Sequence, residues 1–203
     1  MDMPGNKNET PIKNIQQQSA FGAISSFIFD LVKILVIALV IIVPFRMFIA
    51  EPFVVSGSSM LPTYHNRDYL IIDRLSYHTG SVQRGDVVVL KYPKDTSEFF
   101  IKRIIGLPGE KIRFQGGHVF IINAAYPDGL QLNESYLPSQ TETFAGPQTI
   151  ELHDGEYYAL GDNRTASSDS RVWGILPADD IVGKVWLRVF PVSRFEHIIR
   201  PTY

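Results

Sequence analysis

The sequence predicts a mainly β domain, barrel-like or folded over on itself, carried on one N-terminal membrane-spanning helix. Three observations predict it. An apolar run near the N-terminus is long enough to cross a bilayer, and helical periodicity stops after Pro52. Beyond that point, short runs rich in Val, Ile and aromatics recur between turn signals, with no helix-length pattern among them. A chain of 203 residues has room for one ordinary domain and an appendage.

The first element is a polar segment, residues 1–23, read as a flexible tail before the anchor that follows. From Ile24 to Phe45 the run "ISSFIFDLVKILVIALVIIVPF" is 22 residues, about 33 Å as a helix against a hydrocarbon core of about 30 Å. Its only charges, Asp30 and Lys33, lie three apart on one helical face, where they partly neutralise each other. Lys33 and, at the far end, Arg46 can snorkel toward headgroups, which sets the anchor at residues 24–46. A buried or interfacial helix is the alternative, since the uncharged part starts only at Ile34. A cleaved leader is disfavoured because "FIA" puts Phe48 where a small residue is needed. Flanking charge does not set the orientation, because Asp2 and Glu9 offset Lys7 and Lys13.

Residues 47–203 form the β-rich domain. Its expected strands are "YLIIDRL", "DVVVLKY", "EFFIKRIIG", "KIRFQ", "HVFII", "QTIEL", "EYYAL" and "IVGKVWLRVF". Turns such as "GLPGE", "FQGG", "YPDG" and "HDGE" separate them. The segment from Asn123 to Gly146 is polar and irregular, and reads as a surface insertion.

Composition removes several chemistries. A net charge of −2, from 19 basic and 21 acidic residues, gives no bulk attraction to nucleic acid. There is no cysteine, which excludes thiol catalysis, disulfides and Cys-based zinc sites. The five histidines are scattered, with no pair at i, i+3 or i, i+4, so neither a metal nor a cofactor is expected.

Serine chemistry remains. In "SGSSMLPT", Gly57 beside three serines permits a sharp backbone that presents one hydroxyl, although a plain Ser/Gly turn has the same composition. A serine needs a base, and a free lysine is neutral in only about one molecule in 2,500 at pH 7. A basic lysine must therefore be desolvated, in a strand with large apolar neighbours on its own face. Lys102 in "EFFIKRIIGLPGE" fits: alternation puts Phe100 and Ile104 on its side and Arg103 on the other. An edge-strand charge is the competing reading. In "LGDNRTASSDSRVWG", Asp, Asn, Ser and Arg build loops through side-chain hydrogen bonds, and Ser167 or Ser168 could orient an amine.

Together these stretches resemble the type I signal (leader) peptidases, Ser–Lys endopeptidases that remove signal peptides from exported proteins. The match runs in order through "FRMFIAEPF", "GSSMLPT", "RGDVVVLKYP", "FIKRIIGLPGE", "YLP" and "GDNRTASSDSRVWG", from about residue 26 to 190, and fits the compact, single-anchor bacterial members. The resemblance implies that Ser59 is the nucleophile and Lys102 the general base, with Ser167 bonding the lysine amine. It implies that Asp162 with Arg164, and Asp169 with Arg171, form an ion-paired scaffold. The Ser59 backbone N–H is then an oxyanion donor; Gly57 stands where some members carry a second, hydroxyl donor, leaving that part to Ser56 or Ser58. It implies a catalytic domain on the outer face of the cytoplasmic membrane, acting on preproteins beside the lipid bilayer. A catalytically silent, membrane-tethered β-domain that binds peptides is the rival; the joint presence of Ser59, Lys102 and Ser167 speaks against it.

Overall fold

The computed structural model describes residues 13–44, 50–74, 82–146 and 149–203. Most of the expected tail (1–12), the end of the anchor with Arg46 (45–49), most of the turn around "HTGS" (75–81) and Gln148 lie outside them. The chain divides into two units, Met1–Arg46 and Met47–Tyr203.

In the first unit, helix α1 spans Lys13–Pro44. Its stretch Ile24–Ile42, 19 residues with a mean hydropathy of 2.5 and no buried side chains, is long and apolar enough to cross a membrane. The helix starts eleven residues before the apolar run, so residues 13–23 are helical rather than the irregular tail that their polarity suggests. Once the apolar run has paid the nucleation cost, Lys, Gln and Ala prolong the helix cheaply.

The second unit holds twelve strands among the described residues: β1 (Ala50–Val54), β2 (Tyr69–Asp73), β3 (Val87–Tyr92), β4 (Asp95–Gly106), β5 (Lys111–Gln115), β6 (His118–Asn123), β7 (Tyr126–Gln131), β8 (Thr149–Glu151), β9 (Glu156–Leu160), β10 (Leu176–Pro177), β11 (Ile181–Phe190) and β12 (Glu196–His197). One short helix, α2 (Ser170–Trp173), follows β9. The larger sheet runs β1-β2-β11-β3-β4-β9-β10, with β12 also pairing β11; the smaller runs β7-β6-β5-β8. The path begins at β1 and ends at β10 without closing, so the fold is two open sheets sharing a core.

The pleat of β3 shows how that core is divided. Val87 and Val89 join Met60, Tyr64, Leu70, Ile72 and Val185 on one face. Val88 and Leu90 join Ile104, Ala159, Trp173 and Leu176 on the other. A strand covered on both faces reads as an unbroken apolar run, which is what "VVVL" is. A third cluster, with Ile105, Leu160, Ile112, Val119 and Ile121, packs the smaller sheet against β4 and β9.

All eight expected strands form. The expected surface insertion is more ordered than its sequence suggests: it contains β7, paired to β6 through Phe120↔Gln131 and Ile121↔Leu130, and after β7 it buries Leu132 and Thr143 while most of its residues stay at the surface. Isolated polar residues there carry no periodic signal, because their partners lie elsewhere in the chain.

Candidate active site

The "SGSSMLPT" segment follows β1. Val55 extends the strand by exchanging backbone bonds, its N–H to Asp68 O at 2.9 Å and its O from Arg67 N–H at 2.8 Å. Gly57 then takes φ = +98°, a value that an L side chain resists, although no atom crowds its Cβ position. Its N–H donates to Asn66 Oδ1 at 3.1 Å. Met60 and Tyr64 are fully buried and drive the turn into the core. The Met-Leu-Pro-Thr that a simple loop would not need is thus explained: Met60 anchors, and the Thr63 hydroxyl donates to Asp162 at 2.6 Å.

Lys102 lies on β4 opposite Val88 of β3. The residue is buried, with an exposure of only 3%. The amine lies 2.9 Å from Ser59 Oγ and 2.9 Å from its other acceptor, the Ile101 carbonyl. The Phe100 ring sits 5.0 Å from Nζ, on the same face as alternation requires. Burial pulls the lysine down from its ordinary 10.5 to about 8, and the carboxylates of Asp169 and Asp162 act weakly in the opposite direction. At pH 7 about one molecule in ten then carries a neutral amine. Such an amine can accept the Ser59 proton across the same 2.9 Å.

Arg103, one residue on, points to the opposite face. Its guanidinium grips Asp162 with two bonds, Nε to Oδ1 at 2.8 Å and Nη2 to Oδ2 at 2.6 Å. It also donates to Gly85 O at 2.9 Å and lies 4.1 Å from the centre of the Tyr136 ring. The expected Asp162–Arg164 pair is therefore replaced by Asp162–Arg103. Arg164 instead donates from Nη1 to Glu134 at 2.9 Å, from Nη2 to the Tyr136 hydroxyl at 3.1 Å, and to Thr143. The β4 pleat aims Arg103 at Asp162, while the Arg164 side chain runs to Glu134, Tyr136 and Thr143.

The Asp169–Arg171 pair does form, with Nε at 2.8 Å and Nη2 at 2.7 Å from the carboxylate. Asp169 also caps α2 through the Arg171 N–H and accepts the Gly161 N–H at 3.0 Å. Ser167 departs from expectation. Its hydroxyl is buried and has no hydrogen-bond partner, because the lysine amine is directed to Ser59 and Ile101. Ser167 nonetheless sits against the site. A Cβ on Gly161 would lie 2.1 Å from its Oγ and 2.5 Å from the Ser59 carbonyl, so only glycine lets these segments meet. Ser56 and Ser58 are exposed beside Ser59 and line the same cavity, as does Ser168.

Some site residues escaped the sequence reading. Asn163 holds the Ser59 turn from outside, its N–H on Ser59 O at 2.9 Å and its side chain on Ser58 O at 3.1 Å. Glu134, Tyr136 and Thr143 all come from the supposed insertion, where "YLP" within the resemblance was the one available signal. Ser59 and Lys102 open onto a cavity of about 450 Å³, walled by Phe53, Val54, Leu70, Val89, Phe99 and Ile101. An activatable hydroxyl beside a depressed amine at an apolar cleft can carry out acyl transfer.

Comparison with known proteins agrees with that chemistry. Residues 28–190 match the family described as signal peptidase, peptidase S26. The chain belongs to this family. It is similar to a probable signal peptidase I-1 of Synechocystis sp., 38% identical over 83% of this chain and 86% of that protein. It is similar also to signal peptidase IB of Staphylococcus aureus, 34% identical over 81% of this chain and 91% of that protein. A crystal structure of a signal peptidase I from Enterococcus faecalis aligns with a TM-score of 0.43 and 28% identity, over 51% of this chain and 96% of the other.

Proposed function

We propose that this member of the signal peptidase family is a membrane-anchored serine endopeptidase that cuts signal peptides from exported preproteins with Ser59 and Lys102. One observation carries the reading: a lysine lowered to about 8 by burial, 2.9 Å from a serine hydroxyl at the mouth of an apolar cavity. The signal peptide enters as an extended segment along β1, which is an end strand of the larger sheet and whose Phe53 and Val54 line the cavity. Neutral Lys102 takes the Ser59 proton as Oγ attacks the scissile carbonyl, and the negative charge forming on oxygen meets the Ser59 N–H. The ammonium passes its proton to the leaving amine, releasing the mature protein with a new N-terminus. The signal peptide stays esterified to Ser59. Lys102, neutral again, then activates water, which releases the peptide and restores the hydroxyl. Asp169 and Arg171, with Asp162 held by Arg103 and Arg164 by Glu134, brace the loop behind the dyad.

Ile24–Ile42 spans the bilayer in this reading. The tail lies in the cytoplasm and the β domain on the extracytoplasmic face of the bacterial membrane, where preproteins emerge. The experiment is cleavage of one preprotein by the full chain, with the new N-terminus sequenced. Ser59→Ala and Lys102→Ala both abolish cleavage with the fold retained by circular dichroism. Near-normal turnover by Lys102→Ala defeats lysine as the base.

A further inference from the structure

A second cavity adjoins the Ser59 turn and has no part in the account so far. It measures about 380 Å³ and is lined by Leu61, Pro138, Gln140, Phe144, Asn163 and Thr165, among others. Two chain segments connect it to the apolar cleft. Residues 56–59 line the cleft and Leu61 the second cavity; Ala166 and Ser168 line the cleft, Asn163 and Thr165 the second cavity. The bonds from Asn163 to the Ser58 and Ser59 carbonyls tie the two segments together at the boundary. The two cavities therefore lie on adjoining stretches of the same two segments, with the Ser59 carbonyl at their boundary.

The wall of this cavity is fixed rather than loose. Thr143 donates its N–H to Gly117 O at 2.7 Å and its hydroxyl contacts Arg164. Arg171, while paired to Asp169, donates to the Phe144 carbonyl at 3.4 Å. The Phe144 ring is left 68% exposed on a fastened backbone, a large apolar surface held at the rim beside Leu61 and Pro138. Gln140, Thr141, Asn163 and Thr165 supply neutral polar groups on the same lining, and Glu142 and Asp162 supply carboxylates that can accept backbone N–H groups, a mix suited to an extended peptide with one apolar side chain.

We infer that this cavity is the subsite for the first residues of the mature protein, about three residues after the scissile bond, with Phe144 seating an apolar side chain there. The inference rests on the proposed role of Ser59, and it turns Arg164 and Arg171 into residues that position a binding wall.

The test is binding to the full-length Ser59→Ala protein in detergent, read by fluorescence anisotropy. One labelled peptide covers positions −7 to +4 with Leu at +2; a second ends at −1 as an amide. The long peptide binds about tenfold tighter, the effect of partly burying one large apolar side chain. Phe144→Ala in the Ser59→Ala background collapses that ratio toward one. Equal affinity for the two peptides, or a Phe144→Ala loss of the same factor for both, overturns the inference. The wild type supplies the separate control: failure to cut the long peptide counts against Ser59 as nucleophile and leaves the binding ratio to decide the subsite.

Discussion

Phe100→Ala tests whether desolvation is what makes Lys102 a base. The Phe100 ring lies 5.0 Å from Nζ, and two opposite effects meet there. Its π-face attracts an ammonium, worth about 0.5–1 kcal/mol, which favours the proton. Its bulk excludes water, which disfavours it. Burial by all its surroundings takes Lys102 from 10.5 to about 8, equivalent to about 3 kcal/mol, against the pull of Asp169 and Asp162, and the Phe100 ring is part of that cover. Removing the ring lets water reach the amine, and a partial return to about 9 leaves about one molecule in a hundred neutral at pH 7 instead of one in ten. The assay is kcat/KM for a fluorogenic signal-peptide substrate from pH 6 to 10. The variant falls about tenfold at pH 7, its rising limb moves about one pH unit higher, and the two profiles converge near pH 10. A loss of the same factor at every pH, with an unmoved midpoint, refutes the reasoning and leaves Phe100 as a cleft wall only.

Three further outcomes follow from the same geometry. Lys102→Met raises stability by about 3 kcal/mol at pH 7; because the unfolded chain holds the lysine proton up to about 10.5 and the folded one only to about 8, the wild type regains stability between those values. Thermal melts of the two proteins at pH 7 and pH 10.5 check that the gap is full at the first and closed at the second. Gly161→Ala must push either the Ser167 side chain or the Ser59 carbonyl, and only the former can rotate; kcat drops about a hundredfold through displacement of the Ser59 turn, measured on pre-steady-state cleavage. Arg103→Met leaves the Asp162 carboxylate buried without its cation and costs about 3–5 kcal/mol, and adding Asp162→Leu recovers most of it in chemical denaturation.

Strand placement was legible in the sequence wherever burial is two-sided or strictly alternating. The run "VVVL" of β3 and the Phe100, Lys102, Ile104 face of β4 could be read because the strand period is fixed by covalent geometry. The juxtaposition of Ser59 with Lys102, 43 positions apart and 2.9 Å between Oγ and Nζ, was legible only through the ordered set of motifs. Ion-pair partners were not legible. Asp162 chose Arg103 over the neighbouring Arg164, and Arg164 chose Glu134, because partner choice follows the three-dimensional direction of each side chain. Ser167 Oγ lies against the Gly161 backbone, buried and without a hydrogen-bond partner, a placement that spacing cannot encode. The span 123–146 lies largely at the surface as read, but its inward contacts were missed for a related reason: Glu134, Tyr136 and Thr143 are polar, and polar residues held by long-range partners look the same in a sequence as solvated ones.

Lys102 and Arg103 are consecutive, yet in the proposed mechanism one must be able to shed its proton while the other keeps its charge against Asp162. The zigzag of a single strand keeps the two cations apart, sending each to its own side of the sheet. Any insertion of one residue between the β3–β4 hairpin and Lys102 would exchange their destinations, putting a permanent charge at the serine and a titrating amine against Asp162. That stretch can change only by whole pleats if Lys102 is to stay at Ser59 and Arg103 at Asp162.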